Sequence, residues 1–545
     1  MNLLRAQPMV KVGGIIHKKY VEKVISSFGE HEIIHLAESK FITPIKYEAS
    51  EEVRGKLQEI SSLLSRINSI FTKLRMKQKD LKGIELSWED TNSLIKESKS
   101  KIEVIENRID EIDRTAHTLE SNQKIAIPRF RLRKKGIKII RIDLAKESDQ
   151  ILQHLLMRLT AKRLIFEEID EMPHTKEVYF FEGWVPKGRF EEFTEYIQNE
   201  SEGFGGLIRK VEVETNIEKS TREVGKPPSL LKYPRVTGVF GSFASITRAF
   251  GVPDYHEIDP TSFFLITFPM IFGMMYGDVG HGAMLLIGAV IIHSVRNRFS
   301  FSKGSVINYA IQGAPLVMLC AVSSIIFGFL YGEMFGSEEW FVQLTGLDGA
   351  LWYSPIHHPN ALLKYSLYAG IIHISFGLII DIWNKVSGKQ FKEVLFGSVP
   401  WLWSYLSFAY LLITLGWGMA DILYEPVTLS LFVILPLAGM ALGRMYLEGY
   451  MGINTALEQF ITSFSHTISY ARIMALKLVS ITFSQMLLPS SILGFIPFFI
   501  GTLLLITVFE TMLIFLHTLR LHWIEWFSKF YNGSGLQFKP FLLVE

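Results

Sequence analysis

The chain of 545 residues changes character near residue 250, which excludes a protein that is soluble throughout. Residues 1–250 contain 43 of the 56 Lys and Arg residues and 37 of the 54 Asp and Glu residues, and residues 251–545 contain the other 13 and 17. The net charge of +2 argues against a dedicated nucleic-acid binder. The single cysteine, Cys320, excludes an intramolecular disulfide and a cysteine-based metal site. We expect no cofactor and no metal.

Segments typical of strands and of helices alternate in the first half. Short β-type runs at 10–16, 32–36 and 41–45 flank a helical stretch at 18–28. After residue 125 the pattern is β-like to 143, then helix at 148–170, strand at 177–185, helix at 190–199 and strand at 207–214. We therefore predict two α/β lobes, at about 1–47 and 125–215, followed by a connector at 216–250.

Between these lobes, apolar residues recur at heptad spacing. The first series is Leu57, Ile60, Leu64, Ile67, Phe71 and Leu74, and the second is Ile95, Ile102, Ile105, Ile109 and Ile112. Lys82-Gly83 interrupts the pattern between them. Two helices of similar length around a glycine turn predict a long antiparallel hairpin at about 50–122, and two ordinary amphipathic helices on a core are the alternative.

The β-like segment at 125–143 is strongly basic, with seven Lys or Arg residues. Such a run can bind nucleic acid, but Phe130 is the only aromatic residue within it. We therefore interpret it as a solvent-exposed strand pair and predict no nucleic-acid partner.

Residues 251–545 are predicted to be a transmembrane domain with eight spans, in a fold that is mainly α. A bilayer crossing needs about 20 apolar residues. The apolar stretches fall at 261–278, 280–295, 306–332, 362–383, 398–419, 427–444, 455–488 and 492–527. The first two are short and form a tight pair, whereas the last two are long enough to be strongly tilted.

Basic residues in the loops predict the orientation of these spans. Met1–Val12 does not resemble a secretory signal, which favours a cytoplasmic N-terminus. Nine Lys or Arg residues then fall in cytoplasmic loops, against at most Lys364 in the external ones. We therefore predict a multi-pass integral membrane protein with both termini in the cytoplasm.

Charged side chains are concentrated in the last two stretches, where burial in lipid is costly and function is the default explanation. They are Glu458, Arg472 and Lys477, then Glu510, His517, Arg520, His522 and Glu525. On a continuous helix, Glu458 and Arg472 share a face with Ser465 and Ser469, and Glu510 aligns with His517 and Arg520. These rows predict a proton path beside arginines that attract a carboxylate without releasing protons themselves.

Structural roles are the alternative for several of these residues. Arg472 and Arg520 would then pair with Glu458 or Glu510, or Arg520 would reach the membrane interface. We expect Lys477 to point away from the row, and His522 and Glu525 to lie at the membrane interface. Three lone histidines are expected to be structural, namely His281, His293 and His373. Asp278 and Glu333 are expected either to line an exit or to cap helices.

Three motifs resemble those of one known family. Ser465–Leu478 (SHTISYARIMALKL) resembles S-x-x-x-S-Y-x-R-L-x-A-L-x-L, and Phe515–Phe530 (FLHTLRLHWIEWFSKF) resembles H-x-L-R-L-H-W-V-E-F-x-S-K-F. Phe272–Gly282 (FGMMYGDVGHG) resembles F-G-M-M-F-G-D-x-G-Y-G. These are motifs of subunit a, or subunit I in prokaryotes, of V-type and A-type rotary ATPases. Lys477 and Ser480 depart from the family, which usually has a small residue and in some members a histidine at these positions.

The resemblance implies a membrane stator beside a rotor ring of small lipophilic subunits, each with an ion-binding carboxylate. Arg472 would act on that carboxylate with Arg520 in support, Glu458 would belong to the cytoplasmic half-channel, and Glu510 with His517 to the outward one. Peripheral stalks would connect the N-terminal domain to an ATP-hydrolysing head. The short chain suggests a prokaryotic cell membrane, and no nucleotide-binding loop G-x-x-x-x-G-K-[ST] occurs.

Two other functions are compatible with parts of this pattern. A self-contained secondary cation transporter with a cytoplasmic regulatory domain would show internal repeats and paired broken helices, which the sequence lacks. A membrane-anchored coiled-coil scaffold would not need arginines within its spans. The choice between proton and sodium, and between pumping and synthesis, stays open at this stage.

Overall fold

A computed structural model describes residues 5–37, 51–76, 90–121, 127–212, 226–229, 239–295, 306–347, 349–416, 425–487 and 496–543. These residues are mainly helical, as predicted. The chain divides into two compact units. The N-terminal unit comprises Pro8–Val213 and Phe538–Glu545, and the second unit comprises Met1–Gln7 and Glu214–Gln537.

A single antiparallel sheet in the N-terminal unit draws strands from both predicted lobes. Its strands are β1 (Met9–His17), β2 (His35–Leu36), β3 (Val178–Pro186) and β4 (Gly205–Glu212), in the order β2-β3-β1-β4. Two helices pack on it, α1 (Val21–His31) and α5 (Phe190–Glu200), each after a 3-10 turn, Lys18–Tyr20 and Lys187–Arg189. Rings of Phe28, Phe181 and Phe193 meet between sheet and helices. The strands expected at 10–16, 177–185 and 207–214 are confirmed, and the run at 41–45 lies outside the described residues.

Three long helices complete this unit: α2 (Glu51–Leu74), α3 (Thr91–Ser121) and α4 (Ile127–Glu171). The predicted antiparallel pairing of α2 with α3 is wrong. Arg66 pairs with Glu106 and Lys99 with Glu59, so the partners keep a constant offset along the chain, as in parallel helices. Heptad spacing predicts a buried stripe but does not give the direction of the partner helix. The Lys82-Gly83 break lies outside the described residues.

The antiparallel partner of both helices is α4. Arg108 pairs with Glu147 and Arg158 with Glu97, so α4 runs back along α3. Buried stripes from all three helices form the core, with Ile67, Ile102 and Leu159 fully excluded from solvent. The apolar stripe of each helix is therefore buried within a three-helix arrangement rather than within an isolated hairpin.

Helix α4 also corrects the expected strand pair at 125–143, which is helical from Ile127. The β-like pattern came from isoleucines, but among the described side chains Ile139, Ile140 and Ile142 are about half exposed, whereas Leu144 is buried. Intrinsic preference is a weak determinant that packing along a neighbouring helix overrides. Arg and Lys are also good helix formers, which favours helix for a basic run.

The second unit contains the remaining helices. Eleven carry labels here: α6 (Val239–Phe250), α7 (Thr261–Tyr276), α8 (Val279–Val295), α9 (Val306–Tyr331), α10 (Glu338–Thr345), α11 (Pro359–Ser387), α12 (Val399–Leu415), α13 (Leu435–Glu448), α14 (Gly452–Ser469), α15 (Ala471–Leu487) and α16 (Ile496–Arg520). The short α segments Phe391–Glu393 and Pro426–Leu429, the π segments Val394–Ser398, Ser430–Ile434 and Leu521–Trp526, and the 3-10 turns Gly449–Met451 and Phe527–Lys529 extend or follow them. Strands β5 (Pro228–Ser229) and β6 (Leu536–Gln537) pair in parallel.

Four helical segments in the described residues are long and apolar enough to cross a membrane. They are Gly313–Tyr331, Pro359–Ser387, Phe391–Thr414 and Pro426–Met486, and Thr261–Tyr276 and Val279–Ser294 are shorter apolar helices. Helices α7, α8 and α9 pack closely, since a Cβ atom on Gly328 would lie 2.4 Å from the backbone nitrogen of Val279. Such close packing through small residues is typical of membrane helices.

The seventh apolar stretch is not the single helix that the sequence analysis assumed. Tyr470 forms a turn between α14 and α15, and Ile473 donates its backbone N–H to the Tyr470 carbonyl oxygen, three residues back, where a regular α-helix has a four-residue spacing. The shared helical face expected for Glu458 and Arg472 therefore does not follow from residue spacing. The two side chains belong to different helices.

Candidate functional site

Three groups of polar residues lie at successive positions along helix α11, near its start, its middle and its end. Near its start, Leu362 packs with Tyr331, whose ring lies 5.5 Å from the Lys477 ammonium. Near its end, Asp381 lines a polar cavity that also contains Glu458. At a rise of about 1.5 Å per residue, Leu362 and Asp381 are roughly 28 Å apart, close to the thickness of a bilayer core.

Midway along this helix, His373 contacts Tyr470, which forms the turn that precedes Arg472. Its Nδ1 atom lies 2.7 Å from the Tyr470 hydroxyl, and its ring stacks on Trp526 with centroids 4.5 Å apart. Gly370 permits this approach, because a Cβ atom there would lie 2.6 Å from the Tyr470 ring. His373 is therefore structural, as expected, and it places Arg472 midway between the other two polar groups.

Arg472 faces Glu525, an acid that the sequence analysis assigned to the membrane interface. Nη1 of Arg472 lies 3.9 Å from Oε1 of Glu525, whose side chain is 2% exposed. This places Arg472 opposite neither Glu458 nor Glu510, the partners considered from the sequence. Arg520 and His517 lie close enough to Arg472 to interact electrostatically.

His522 and Glu525, for which an interfacial position was expected, are both buried among the helices. They lie in the π-helical segment Leu521–Trp526, four and seven residues after the buried Thr518, and so continue the buried face of α16. His522 is bonded at both ring nitrogens, to the Thr518 carbonyl oxygen at 2.8 Å and to the Thr267 hydroxyl at 3.1 Å. Residue spacing places both side chains on one face of the helix but does not show that neighbouring helices cover that face.

A second buried group lies where α7 ends and α8 begins. The Asp278 carboxylate accepts backbone N–H groups of His281 at 2.8 Å, Phe335 at 3.0 Å and Gly336 at 2.7 Å. The His281 ring lies 3.4 Å from the same carboxylate. Asp278 thus caps α8 and ties it to the loop after α9, which is one of the two roles expected for it.

Lys477, which was expected to point away from the row, belongs to this group. Its Nζ lies 2.6 Å from Oε2 of Glu333, and the two side chains are 1% and 0% exposed. The ammonium also donates a hydrogen bond to the Gly277 carbonyl oxygen at 2.8 Å. A regular helix places Lys477 away from Arg472, but only the tertiary fold shows that this other side is buried against α9.

Glu510 completes the second group. Ser480 donates its hydroxyl to Oε2 of Glu510 at 3.1 Å, whereas Oε1 is buried and has no hydrogen-bond partner among the described atoms. The hydroxyl of Ser480 thus occupies the place where some members of the resembled family have a histidine. The group as a whole consists of Asp278, His281, Glu333, Lys477, Ser480 and Glu510, and we call it the Glu510 cluster.

The third polar group is a cavity of about 770 Å³ at the end of α11. Its walls include Lys385, Glu458, Gln459, His466 and Lys529. Arg444 donates to Gln459 at 3.2 Å and Lys385 to Asp381 at 2.8 Å, so these two cations have partners within the wall. Glu458 is exposed and Ser465 is exposed on the same helix, while Ser469 is half-buried beside Glu525.

These observations define a helical membrane protein with charged groups buried between its helices. Residues 96–343 and 452–543 match the family described as the V-type ATPase 116kDa subunit family. The chain belongs to this family. The resemblance in the three motifs is thereby confirmed.

Proteins similar to this chain include archaeal and eukaryotic ATPase subunits. The chain is 26% identical over 406 residues to the A-type ATP synthase subunit I of Thermococcus kodakarensis, which covers 70% of this chain and 57% of that protein. It is 29% identical over 378 residues to the Archaeoglobus fulgidus subunit of the same name, covering 58% and 54%. It is 24% identical over 477 residues to the vacuolar proton translocating ATPase 100 kDa subunit of Dictyostelium discoideum, covering 66% and 57%. The chain therefore spans little more than half the length of these relatives.

Proposed function

We propose that this chain is the membrane stator subunit of a V/A-type rotary ATPase or ATP synthase. It would provide two offset ion half-channels, anchor peripheral stalks that lead to an ATP-hydrolysing head, and face a rotor ring of lipophilic subunits. The observation that carries the proposal is the position of Arg472 midway along α11, between the Glu510 cluster and the Glu458 cavity.

The face around Arg472 suits a lipophilic neighbour. Arg472 is 19% exposed at the side chain, and large apolar side chains near it on α14, α15 and α16 are exposed. These include Ile468, Val479, Met512 and Leu516, each more than 40% exposed. A ring subunit with a carboxylate among apolar side chains would cover this face and pair with the guanidinium, whose charge is retained at any physiological pH.

The separation of the two polar groups supports an indirect ion path. An ion that enters through the Glu458 cavity would bind to the ring beside Arg472. Rotation of the ring would then carry the ion to the Glu510 cluster, where it would leave. A fixed cation between the two routes opposes direct passage of a proton or metal cation. We infer from the loop charges that the cavity faces the cytoplasm, the Glu510 cluster faces outward, and both termini are cytoplasmic across eight spans.

The test is ATP-driven ion uptake into vesicles by the assembled complex with Arg472→Ala. We expect uptake to be lost while the ring and the head still copurify, and Arg248→Ala in α6 to serve as a matched control with normal uptake. Normal uptake by Arg472→Ala would contradict the proposal. Ion transport by this chain in vesicles that lack ring subunits would favour the self-contained cation transporter instead.

A further inference from the structure

The Glu510 cluster contains three carboxyl groups but one permanent cation. Asp278, Glu333 and Glu510 are at most 5% exposed, and Lys477 is 1% exposed. Several ionised carboxylates cannot be buried together at low cost, so their charges must be neutralised separately. The contacts show which groups stabilise or neutralise each of the three carboxyl groups.

Asp278 is stabilised as a carboxylate by backbone groups and by the adjacent His281 ring. Three N–H groups, from His281, Phe335 and Gly336, donate to its two oxygens at 3.0 Å or less. A carboxylate with three backbone donors remains ionised without an ammonium partner. Asp278 therefore has close partners of its own, whereas the Lys477 ammonium forms its ion pair with Glu333.

Glu333 depends on Lys477 instead. Both of its oxygens are buried and neither has a hydrogen bond among the described atoms, so the ammonium at 2.6 Å is its charge partner. The ammonium is held in place by the Gly277 carbonyl oxygen and by the face of the Tyr331 ring. Lys477 and Glu333 thus form a closed neutral pair between α15 and the end of α9.

Glu510 is the third carboxyl group of the cluster, and it has neither the backbone donors of Asp278 nor the ammonium partner of Glu333. Its one hydrogen bond is from a neutral hydroxyl, and Oε1 has no partner in the described part of the chain. The titratable or charged neighbours that face the cluster are Tyr276 on α7, Asp278 and His281 at the start of α8, Tyr331 and Glu333 at the end of α9, Glu338 on α10 and Lys477 on α15. Among the described residues of the cluster, His281 is the other group that could bring a positive charge, and it lies against Asp278.

We propose that Lys477 is a positioning residue that neutralises Glu333 and thereby leaves Glu510 as the one carboxyl group of the cluster that exchanges protons with the outside. The inference rests on the proposed function, because it assigns the roles within the outward half-channel. Without the ammonium, Glu333 would hold a proton in competition with Glu510, and both would release protons less readily. Glu333 would then be a second proton store in the same route.

The test compares Lys477→Met, Glu333→Gln and the double variant in the assembled complex. The readout is the external pH at which ATP-driven proton transport falls to half. Removing the ammonium makes protons harder to release, so Lys477→Met should move this midpoint upward by about one pH unit. Glu333→Gln leaves the ammonium unpaired near Glu510 and should move it downward. The double variant removes both charges and should return close to the wild-type midpoint.

Opposite shifts distinguish a charge effect from lost packing, which would lower the rate in both single variants without moving the midpoints apart. Shifts in the same direction, or a double variant no nearer to wild type than either single variant, would overturn the proposal. If Lys477→Met does not assemble, the comparison of Glu333→Gln with the double variant still decides it. Arg472→Ala is measured in parallel, so that a failure of the proposed function is seen separately.

Discussion

The Arg472 guanidinium and the Glu525 carboxylate lie 3.9 Å apart, at the edge of ion-pair range and too far for a hydrogen bond. The buried Nη1 atom has no hydrogen-bond partner in the described residues. Arg472 is thus held by an acid of its own chain but keeps donors available. This arrangement suits an arginine that binds a second carboxylate for part of a cycle.

Removing the charge of Glu525 is expected to slow transport without preventing assembly. In Glu525→Gln, Arg472 loses its partner within the chain and attracts a ring carboxylate more strongly, so that release becomes slower. We expect ATP-driven uptake to fall roughly threefold to tenfold, the size of one partly screened charge interaction. Glu59→Gln is the control, since Glu59 pairs with Lys99 at 3.0 Å and both side chains are about half exposed. Unchanged uptake in Glu525→Gln would show that the pair has no part in turnover.

Glu510 and Ser480 should contribute unequally to transport. Glu510→Gln removes the proton-exchanging group and is expected to lower uptake at least about a hundredfold, as for loss of an essential acid or base. Ser480→Ala removes one neutral hydrogen bond and leaves the carboxyl group, so a loss of only a few-fold is expected. Both are measured as initial rates of vesicle acidification.

The control for the hydroxyl is Thr482→Ala on the same helix. Thr482 is exposed and donates only to the Leu478 carbonyl oxygen, so its loss should leave the rate unchanged. A Glu510→Gln complex that pumps at more than a tenth of the normal rate would remove Glu510 from the path.

The sequence predicts where charges lie along the chain better than it predicts their partners. Arg472, Glu510 and Ser480 stand out because charged and polar groups are costly within apolar stretches. Glu525 was expected at the interface and Lys477 away from the row, because residue spacing does not show which neighbouring helices cover a side chain. The turn at Tyr470, which separates the helices of Glu458 and Arg472, also has no signature in residue spacing.

The N-terminal unit shows the same limit at the level of topology. Periodicity identifies β1, β3, β4 and the stripes of α2 and α3, since these patterns depend on nearby residues. It does not show that α4 lies antiparallel to both helices, because direction depends on contacts between residues far apart in the chain. The basic start of α4 was also taken for strand, as its isoleucines have high strand preference.

Tyr470→Phe should destabilise the membrane unit. The Tyr470 ring is fully buried, and its hydroxyl lies 2.7 Å from Nδ1 of His373, which would lose this partner. An unsatisfied buried polar group costs about 1–3 kcal/mol, so we expect the detergent-solubilised protein to unfold at a temperature several degrees lower. Tyr410→Phe is the control, because Tyr410 is 50% exposed. Equal unfolding temperatures for the two variants would mean that the hydrogen bond contributes no stability.

Glu168 in α4 should make the N-terminal unit less stable as pH rises. Burial raises the pKa of Glu168 above its usual value, and repulsion from Glu171 adds to this effect. The folded unit therefore binds this proton more tightly than the unfolded chain does. The resulting stability is complete below the pKa of the unfolded carboxyl group and is lost as pH increases through the folded value.

Glu168→Gln removes this ionisation, so the variant should be more stable than the wild type at neutral pH and less sensitive to pH between about 4 and 7. The measurement is hydrogen–deuterium exchange of α4 peptides in the full chain, and slower exchange at neutral pH is expected for Glu168→Gln. Burial also raises the pKa of Glu30, so part of the pH dependence should persist in the variant. Glu191→Gln, at an exposed position of α5, should exchange like the wild type. Exchange in Glu168→Gln that is as fast as in the wild type at neutral pH would show that the Glu168 carboxylate is solvated in the folded unit.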